Sequence, residues 1–303
     1  MTTGVTMAPI GSLMMSGDGG VAFNSGFGTE STYGAGADAF WRGTPGSISL
    51  VAKRGDPAPG LPAGPTMTTA NIWGMNDSRQ CAATAFLTGT GVTTSNYRAV
   101  YRAGTQGLEL LARLGDLAPG VGQSRVFVDF SITPTINNLG QMAFVGFVSG
   151  SSTFPYSTEG VWVGTPGNVV LAARGGDQIA GQPTGMYYGR TYPNTPVCLG
   201  DGGHVAFRMD AYGTGVTGST STALFAGLPG NVRLVARDGT RLPGTPVGVV
   251  AGFLGLNDPT VNSSGQVAFT ATLAGVGVDD TNQRGLWAGR PGRCGSLLVR
   301  VLR

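Results

Sequence analysis

Short apolar runs separated by glycine-rich turns recur along the whole chain, and five of them share one pattern. "GGVAF" ends at Phe23, "RQCAA" at Ala83, "GQMAF" at Phe144, "GHVAF" at Phe207 and "GQVAF" at Phe269, at intervals of 60, 61, 63 and 62 residues. Side chains alternate faces along a strand, so Val267 and Phe269 share one face and Ala268 lies on the other. The same small residue returns as Ala22, Ala82, Ala143 and Ala206. A strand with one bulky and one small face, both apolar, is expected to be buried on both sides. No long segment carries the 3.6-residue period of an amphipathic helix.

Two further markers follow each run in fixed order. The first is "WRGTPG" at Trp41, "YRAGTQG" at Tyr101, "WVGTPG" at Trp162, "LFAGLPG" at Leu224 and "LWAGRPG" at Leu286. The second is "LVAKRGDPAPG" at Leu50, "LLARLGDLAPG" at Leu110, "LAARGGDQIAG" at Leu171 and "LVARDGTRLPG" at Leu234, decaying to "LLVRVLR" at the end. Each unit therefore reads as four short strands, the first of them apolar and aromatic, as in "VFVDFSI" and "VGVVAGFLGL". Asn-x-x-Gly, at Asn137–Gly140 and Asn262–Gly265 and with Arg79 in the glycine place after Asn76, suits a hairpin loop that needs positive φ. Pro45-Gly46, Pro166-Gly167, Pro229-Gly230 and Pro291-Gly292 suit the centre of a type II turn.

The units run 1–60, 61–120, 121–181, 182–244 and 245–303 and form one repeat domain. Stacked four-stranded sheets bury both faces, and radial closure protects their edges, so the expected fold is an all-β, five-bladed β-propeller. The alternative is a linear β-solenoid of the same repeats. That arrangement needs polar capping units, and neither terminal repeat is more polar than the others.

Composition agrees with a turn-rich β protein. Only 12% of residues are charged, against about 25% in an ordinary soluble domain, and there are 53 glycines where about 7% is usual. Net charge is +3, carried almost wholly by arginine with Lys53 the single lysine, and no dense basic stripe points to nucleic acid. Cys81, Cys198 and Cys294 are odd in number and lack C-x-x-C spacing, so neither a disulfide framework nor a zinc site is expected. "MTTGVTMAPIGSLMMSG" lacks a basic n-region, and no run reaches 18 apolar residues, so the chain reads as having neither a secretion signal nor a membrane span.

Asn262-x-x-Gly265-x-x-Ala268-Phe269, with "GLWAGRPG" after it and the "LVAR-GD-APG" of other repeats, resembles the bacterial NxxGxxAF tandem-repeat proteins over all five units. The resemblance implies a secreted or surface-attached, β-propeller-like protein with no known catalysis.

Candidate chemistry is sparse. His204 is the only histidine and stands where other repeats have Gln80, Gln141 and Gln266, a structural position; neither a His-based metal site nor a conventional triad is expected. Asp56, Asp116 and Asp177 share one position in three repeats, replaced by Thr240 in the fourth. Such acids either hydrolyse glycosides across a central channel or accept backbone N–H bonds at a strand-ending turn. The symmetry favours the turn, because catalysis needs unlike roles. Lys53, Arg113, Arg174 and Arg237 precede that turn and are candidates for a latch with the aspartate. Arg54-Gly55-Asp56 is a by-product of this repeat, since Arg54 aligns with Leu114, Gly175 and Asp238, a position with no evident constraint.

The loops between second and third strands look least repetitive and are the expected recognition elements on a fixed scaffold. They offer Tyr33, Tyr97, Tyr156 and Tyr212 for protein or glycan contacts, and Asp279 and Asp280 as a weak cation-binding pair. The expected function is a non-enzymatic binding or structural module, extracellular or at a cell surface, without cofactor or metal, and suited to a larger assembly such as a filament or virion. The competing expectation is a glycoside-active propeller using Asp56, Asp116 and Asp177.

Overall fold

The computed structural model describes residues 6–28, 39–122, 124–131, 133–150, 156–192 and 195–291. The chain is all-β; among the described residues there is one short 3₁₀ turn, at Gly218–Thr220, and five antiparallel sheets follow the five repeats. The first sheet contains β1 (Thr6–Met15), β2 (Val21–Gly28), β3 (Ala39–Thr44) and β4 (Ser47–Lys53), in chain order. The second contains β5 (Pro65–Met75), β6 (Cys81–Gly89), β7 (Arg98–Gly104) and β8 (Gly107–Arg113), also in chain order.

In the remaining sheets the first strand is broken. β9 (Phe127–Phe130) and β10 (Thr135–Ile136) both pair with β11 (Met142–Val148), which is followed by β12 (Glu159–Thr165) and β13 (Asn168–Arg174). β14 (Met186–Thr191) and β15 (Cys198–Leu199) both pair with β16 (Val205–Gly213), followed by β17 (Thr222–Leu228) and β18 (Asn231–Arg237). β19 (Val249–Leu256) and β20 (Thr260–Val261) both pair with β21 (Val267–Gly275), which pairs onward with β22 (Arg284–Gly289). The breaks hold Pro134, Pro196 and Pro259, which cannot donate to a ladder. β1 and β5 stay continuous and absorb the same bend as bulges, Pro9 of β1 falling in the register shift between Met7 and Ile10. The expected fourth strand of the fifth repeat, and Cys294, lie outside the described residues.

The turns follow from their residues. Two-residue loops join Thr44 to Ser47 and Leu228 to Asn231, with Gly46 at φ 84° and Gly230 at φ 80°. In the Asn-x-x-Gly turn the Asn76 side chain accepts from Gln80 N at 2.8 Å and donates to Gln80 Oε1 at 2.9 Å. Arg79, standing where other repeats have glycine, takes the same left-handed conformation at φ 59°. Glycine there also makes room: a Cβ on Gly140 would lie 2.6 Å from Gln80 Oε1, and one on Gly265 would lie 2.6 Å from His204 Nε2. His204 is thus packed against the next repeat's turn, in the structural position its alignment with glutamine indicated.

Two compact units can be distinguished, Met1–Met142 with Gly164–Val169, and Ala143–Val163 with Val170–Arg303. In the first, Ala22, Phe40 and Ala52 pack with Ile72, Cys81, Ala83 and Tyr101. In the second, Val145, Val161 and Val163 pack with Val205, Phe207 and Met209, while Ala206, Leu224 and Ala236 pack with Leu256, Val267 and Phe269. The alternation read from the sequence is therefore what the cores use. Cross-strand rings reinforce it: Phe207 stacks on Phe225 at 5.9 Å and Phe269 on Trp287 at 6.0 Å, pairs worth about 1 kcal/mol beyond their burial. Among the described residues no helix is long and apolar enough to cross a membrane.

Candidate functional site

The repeated aspartates sit in strand-ending turns. Asp56 Oδ2 accepts Lys53 N at 2.9 Å and Asp116 Oδ2 accepts Arg113 N at 2.9 Å. The backbone of each turn also bonds the next sheet: Gly115 N donates to Phe127 O and Phe127 N to Asp116 O. Burial raises the Asp116 pKa, opposed by the Arg113 amide and the Arg113 charge. Asp177 differs, because its Oδ1 receives Arg174 Nη2 at 2.6 Å and Nε at 3.1 Å. Among the described residues the expected Arg–Asp latch forms only there; Arg113 Nε and Arg237 Nη1 donate to Asn96 O and Thr220 O instead.

Three loops between second and third strands prove to be repetitive. Gly91-Val92-Thr93-Thr94-Ser95-Asn96, Gly215-Val216-Thr217-Gly218-Ser219-Thr220 and Gly277-Val278-Asp279-Asp280-Thr281-Asn282 share one self-capped turn. Thr93 N donates to Asn96 Oδ1, Thr217 N to Thr220 Oγ1, and Asp279 N to Asn282 Oδ1. Asp279 and Asp280 are engaged inside that turn, by Thr281 and Gln283 respectively, and the Thr281 bonds lower the Asp279 pKa. Among the described residues no group of three or more His, Cys, Asp or Glu is arranged to hold a metal ion. Tyr97 packs on Phe86 at 5.8 Å, and Tyr33 lies outside the described residues.

In the third loop residues 151–155 lie outside the described residues, and Tyr156 follows them. This residue has φ 67°, a conformation costing a bulky side chain about 1–3 kcal/mol. It is held there because its carbonyl accepts Glu159 N at 3.0 Å and fills the space where a Cβ of Gly175 would be. Tyr156 is 41% exposed. Its ring meets Tyr212 edge-on at 6.3 Å and 75°, and Tyr187 leans on Tyr212 at 5.4 Å and 34°. Two of the sequence-nominated tyrosines thus converge, joined by one that was not nominated. Among the described residues the buried Tyr212 hydroxyl has no hydrogen-bond partner. Desolvation raises its pKa, and the charges of Tyr187 and Asp177 add to the shift.

A second polar cluster lies where the fourth and fifth sheets meet. Tyr192 OH donates to Asp210 Oδ1 at 2.7 Å and lies 3.3 Å from Thr222 Oγ1. The Arg208 guanidinium covers the Tyr192 ring at 4.6 Å and pairs with Asp258 at 3.3 Å. Asp238 is 0% exposed; its Oδ2 accepts Leu254 N at 2.7 Å, and among the described residues Oδ1 has no partner of good geometry. Desolvation pushes the Asp238 carboxyl up to about 6, opposed by the Leu254 amide, the Thr222 hydroxyl and the Gly255 amide and reinforced by the Asp210 charge. Leu254, at φ 52°, sits in the bulge of β19 between Ala251 and Leu256, and exposes Phe253 (62%) and itself (59%).

Sequence reasoning passed over this cluster, although a signal was present. Arg208 and Asp210 stand where the other repeats have Asn24, Thr84, Val145, Thr270 and Gly26, Phe86, Phe147, Thr272. The position of Asp238 is constrained in three repeats: Asp238 is fully buried, Leu114 there is 1% exposed and Gly175 is packed against Tyr156. Arg54, at the same position in the first repeat, is exposed. The side chains bonded at the first-strand bulges also differ between repeats. Asn24 bonds Ala70 O, Arg98 bonds Phe130 O, and Glu159 accepts both Thr191 N and Oγ1.

Solved structures similar to this chain have little sequence in common with it. A protein of unknown function from Dyadobacter fermentans DSM 18053 is 10% identical with a TM-score of 0.35, the match covering 99% of this chain and 83% of that one. The Hadza microbial sialidase Hz136 is 10% identical with a TM-score of 0.38; the match covers 93% of this chain and 56% of the sialidase. No curated protein matches. Residues 2–297 match the model of a family of unknown function, DUF7453, and the chain belongs to that family.

Proposed function

We propose that the five sheets are the blades of a closed β-propeller and that the protein is a non-enzymatic binding module, extracellular or at a cell surface. The observation that carries this reading is the use of the repeated aspartates. Asp56 and Asp116 each spend a carboxylate oxygen on the backbone amide three residues earlier, which suits a scaffold turn and not a general acid or a nucleophile. The likeness of the repeats to NxxGxxAF proteins points the same way. Ligand contacts fall to side chains that break the repeat, with Tyr156 and Tyr212 foremost.

The test is incubation with a panel of polysaccharides, following new reducing ends. No release is expected from the wild-type protein or from Asp116→Ala. Release that Asp116→Ala abolishes while its circular dichroism is unchanged would establish the channel-aspartate enzyme instead. Small-angle scattering tests closure, since a ring gives a compact particle and a solenoid an elongated one.

A further inference from the structure

We infer that Tyr156, Tyr187 and Tyr212, with the Arg174–Asp177 ion pair beside them, form a subsite for an uncharged saccharide; this rests on the binding-module reading. The three rings form one continuous aromatic surface with an exposed member, Tyr156. Pyranose rings present a C–H face that packs on aromatic faces, while their hydroxyls need donors and acceptors at the edge. Both are present. Arg174 and Asp177 are partly exposed and joined at 2.6 Å, so they offer N–H donors and carboxylate acceptors with no net charge. That neutrality suits an uncharged sugar better than an anionic one.

The pair is fixed beside the rings by backbone. Tyr188 N donates to Asp177 O, Gln178 bridges Tyr187 in antiparallel register, and Gly175, between the two charges, abuts the Tyr156 carbonyl. The Tyr212 hydroxyl supplies an independent pointer. A buried phenol without a partner among the described residues is uncommon, and a ligand hydroxyl reached by a small ring movement would satisfy it. Tyr156 is pre-set by its turn, so binding orders little that is not already ordered. The other described tyrosine of the nominated set, Tyr97, faces Phe86 and serves as a control.

The experiment is saturation-transfer NMR and calorimetric titration with cellohexaose, maltohexaose and N-acetylchitohexaose, and with 3′-sialyllactose as the anionic comparator. At least one neutral sugar is expected to bind. Tyr156→Ala and Tyr187→Ala should each weaken it about tenfold, whereas Tyr156→Phe and Tyr97→Ala stay within about threefold of wild type. A neutral sugar held equally by wild type, Tyr156→Ala and Tyr187→Ala overturns the subsite and leaves the binding module standing. Failure of all neutral sugars, or binding of 3′-sialyllactose alone, also overturns it. Tyrosine-dependent binding followed by cleavage of the probe upholds the subsite and overturns the non-enzymatic reading.

Discussion

The fully buried carboxylate of Asp238 accepts the backbone N–H of Leu254, a leucine held at φ 52° in the exposed bulge of β19. Among the described residues, a side chain that appears at this position in one repeat therefore fixes a backbone shape found in one sheet. Its pH dependence follows. The carboxyl is pushed up to about 6 from 3.8, so the folded protein holds this proton more tightly than the unfolded chain. The resulting penalty is absent below the unfolded value, grows between about pH 4 and 6, and is complete above that.

Asp238→Asn removes the ionisation and keeps an oxygen for Leu254 N. The variant should be more stable than wild type at pH 8, by up to about 3 kcal/mol for a shift of this size, with the difference closing by pH 4. Urea unfolding at the two pH values measures it. An advantage that persists unchanged at pH 4 would assign it to something other than this carboxyl.

Gly265 is required for two separable reasons, its φ of 77° and the His204 ring beside it. Gly265→Ala is expected to cost about 2 kcal/mol, and about half should return in the His204→Ala background, where only the backbone term remains. A double-mutant cycle with no coupling would show that the ring moves aside without cost.

Phe207→Ala removes a buried ring stacked on Phe225 in the core of the second unit. Loss of about 3–5 kcal/mol is expected from chemical denaturation, as for other large-to-small changes in a packed core.

Much of the scaffold was legible in the sequence. Glycine and proline mark the two-residue loops, the Asn76, Asn137 and Asn262 turns announce themselves, and the Ala/Phe alternation gives each strand its two faces. Local chemistry sets those features. The bulges and the broken first strands depend on what the adjacent sheet presents, although Pro134, Pro196 and Pro259 mark the breaks in hindsight. The site was half legible. Tyr156 and Tyr212 were nominated as loop aromatics, but their meeting, and the addition of Tyr187 from β14, required the register of β14 on β16. The Gly-Val-Thr/Asp turns were overlooked because glycine and threonine are abundant everywhere, and Asp238 because its position has no common residue type to depart from.

Residues shared by the repeats build the scaffold and aromatic residues that break the repeat bind, with Asp177 alone among the repeated aspartates serving both, since its pair with Arg174 edges the tyrosine cluster. Measuring melting temperature and neutral-oligosaccharide affinity together on Asp116→Ala and Tyr156→Ala tests this division of labour most directly. Asp116→Ala is expected to lose about 1–2 kcal/mol of stability with affinity intact, and Tyr156→Ala to lose about tenfold in affinity with stability within about 1 kcal/mol of wild type, because alanine keeps the Cβ that makes φ 67° costly. Loss of affinity in Asp116→Ala, with Tyr156→Ala binding like wild type, would contradict it.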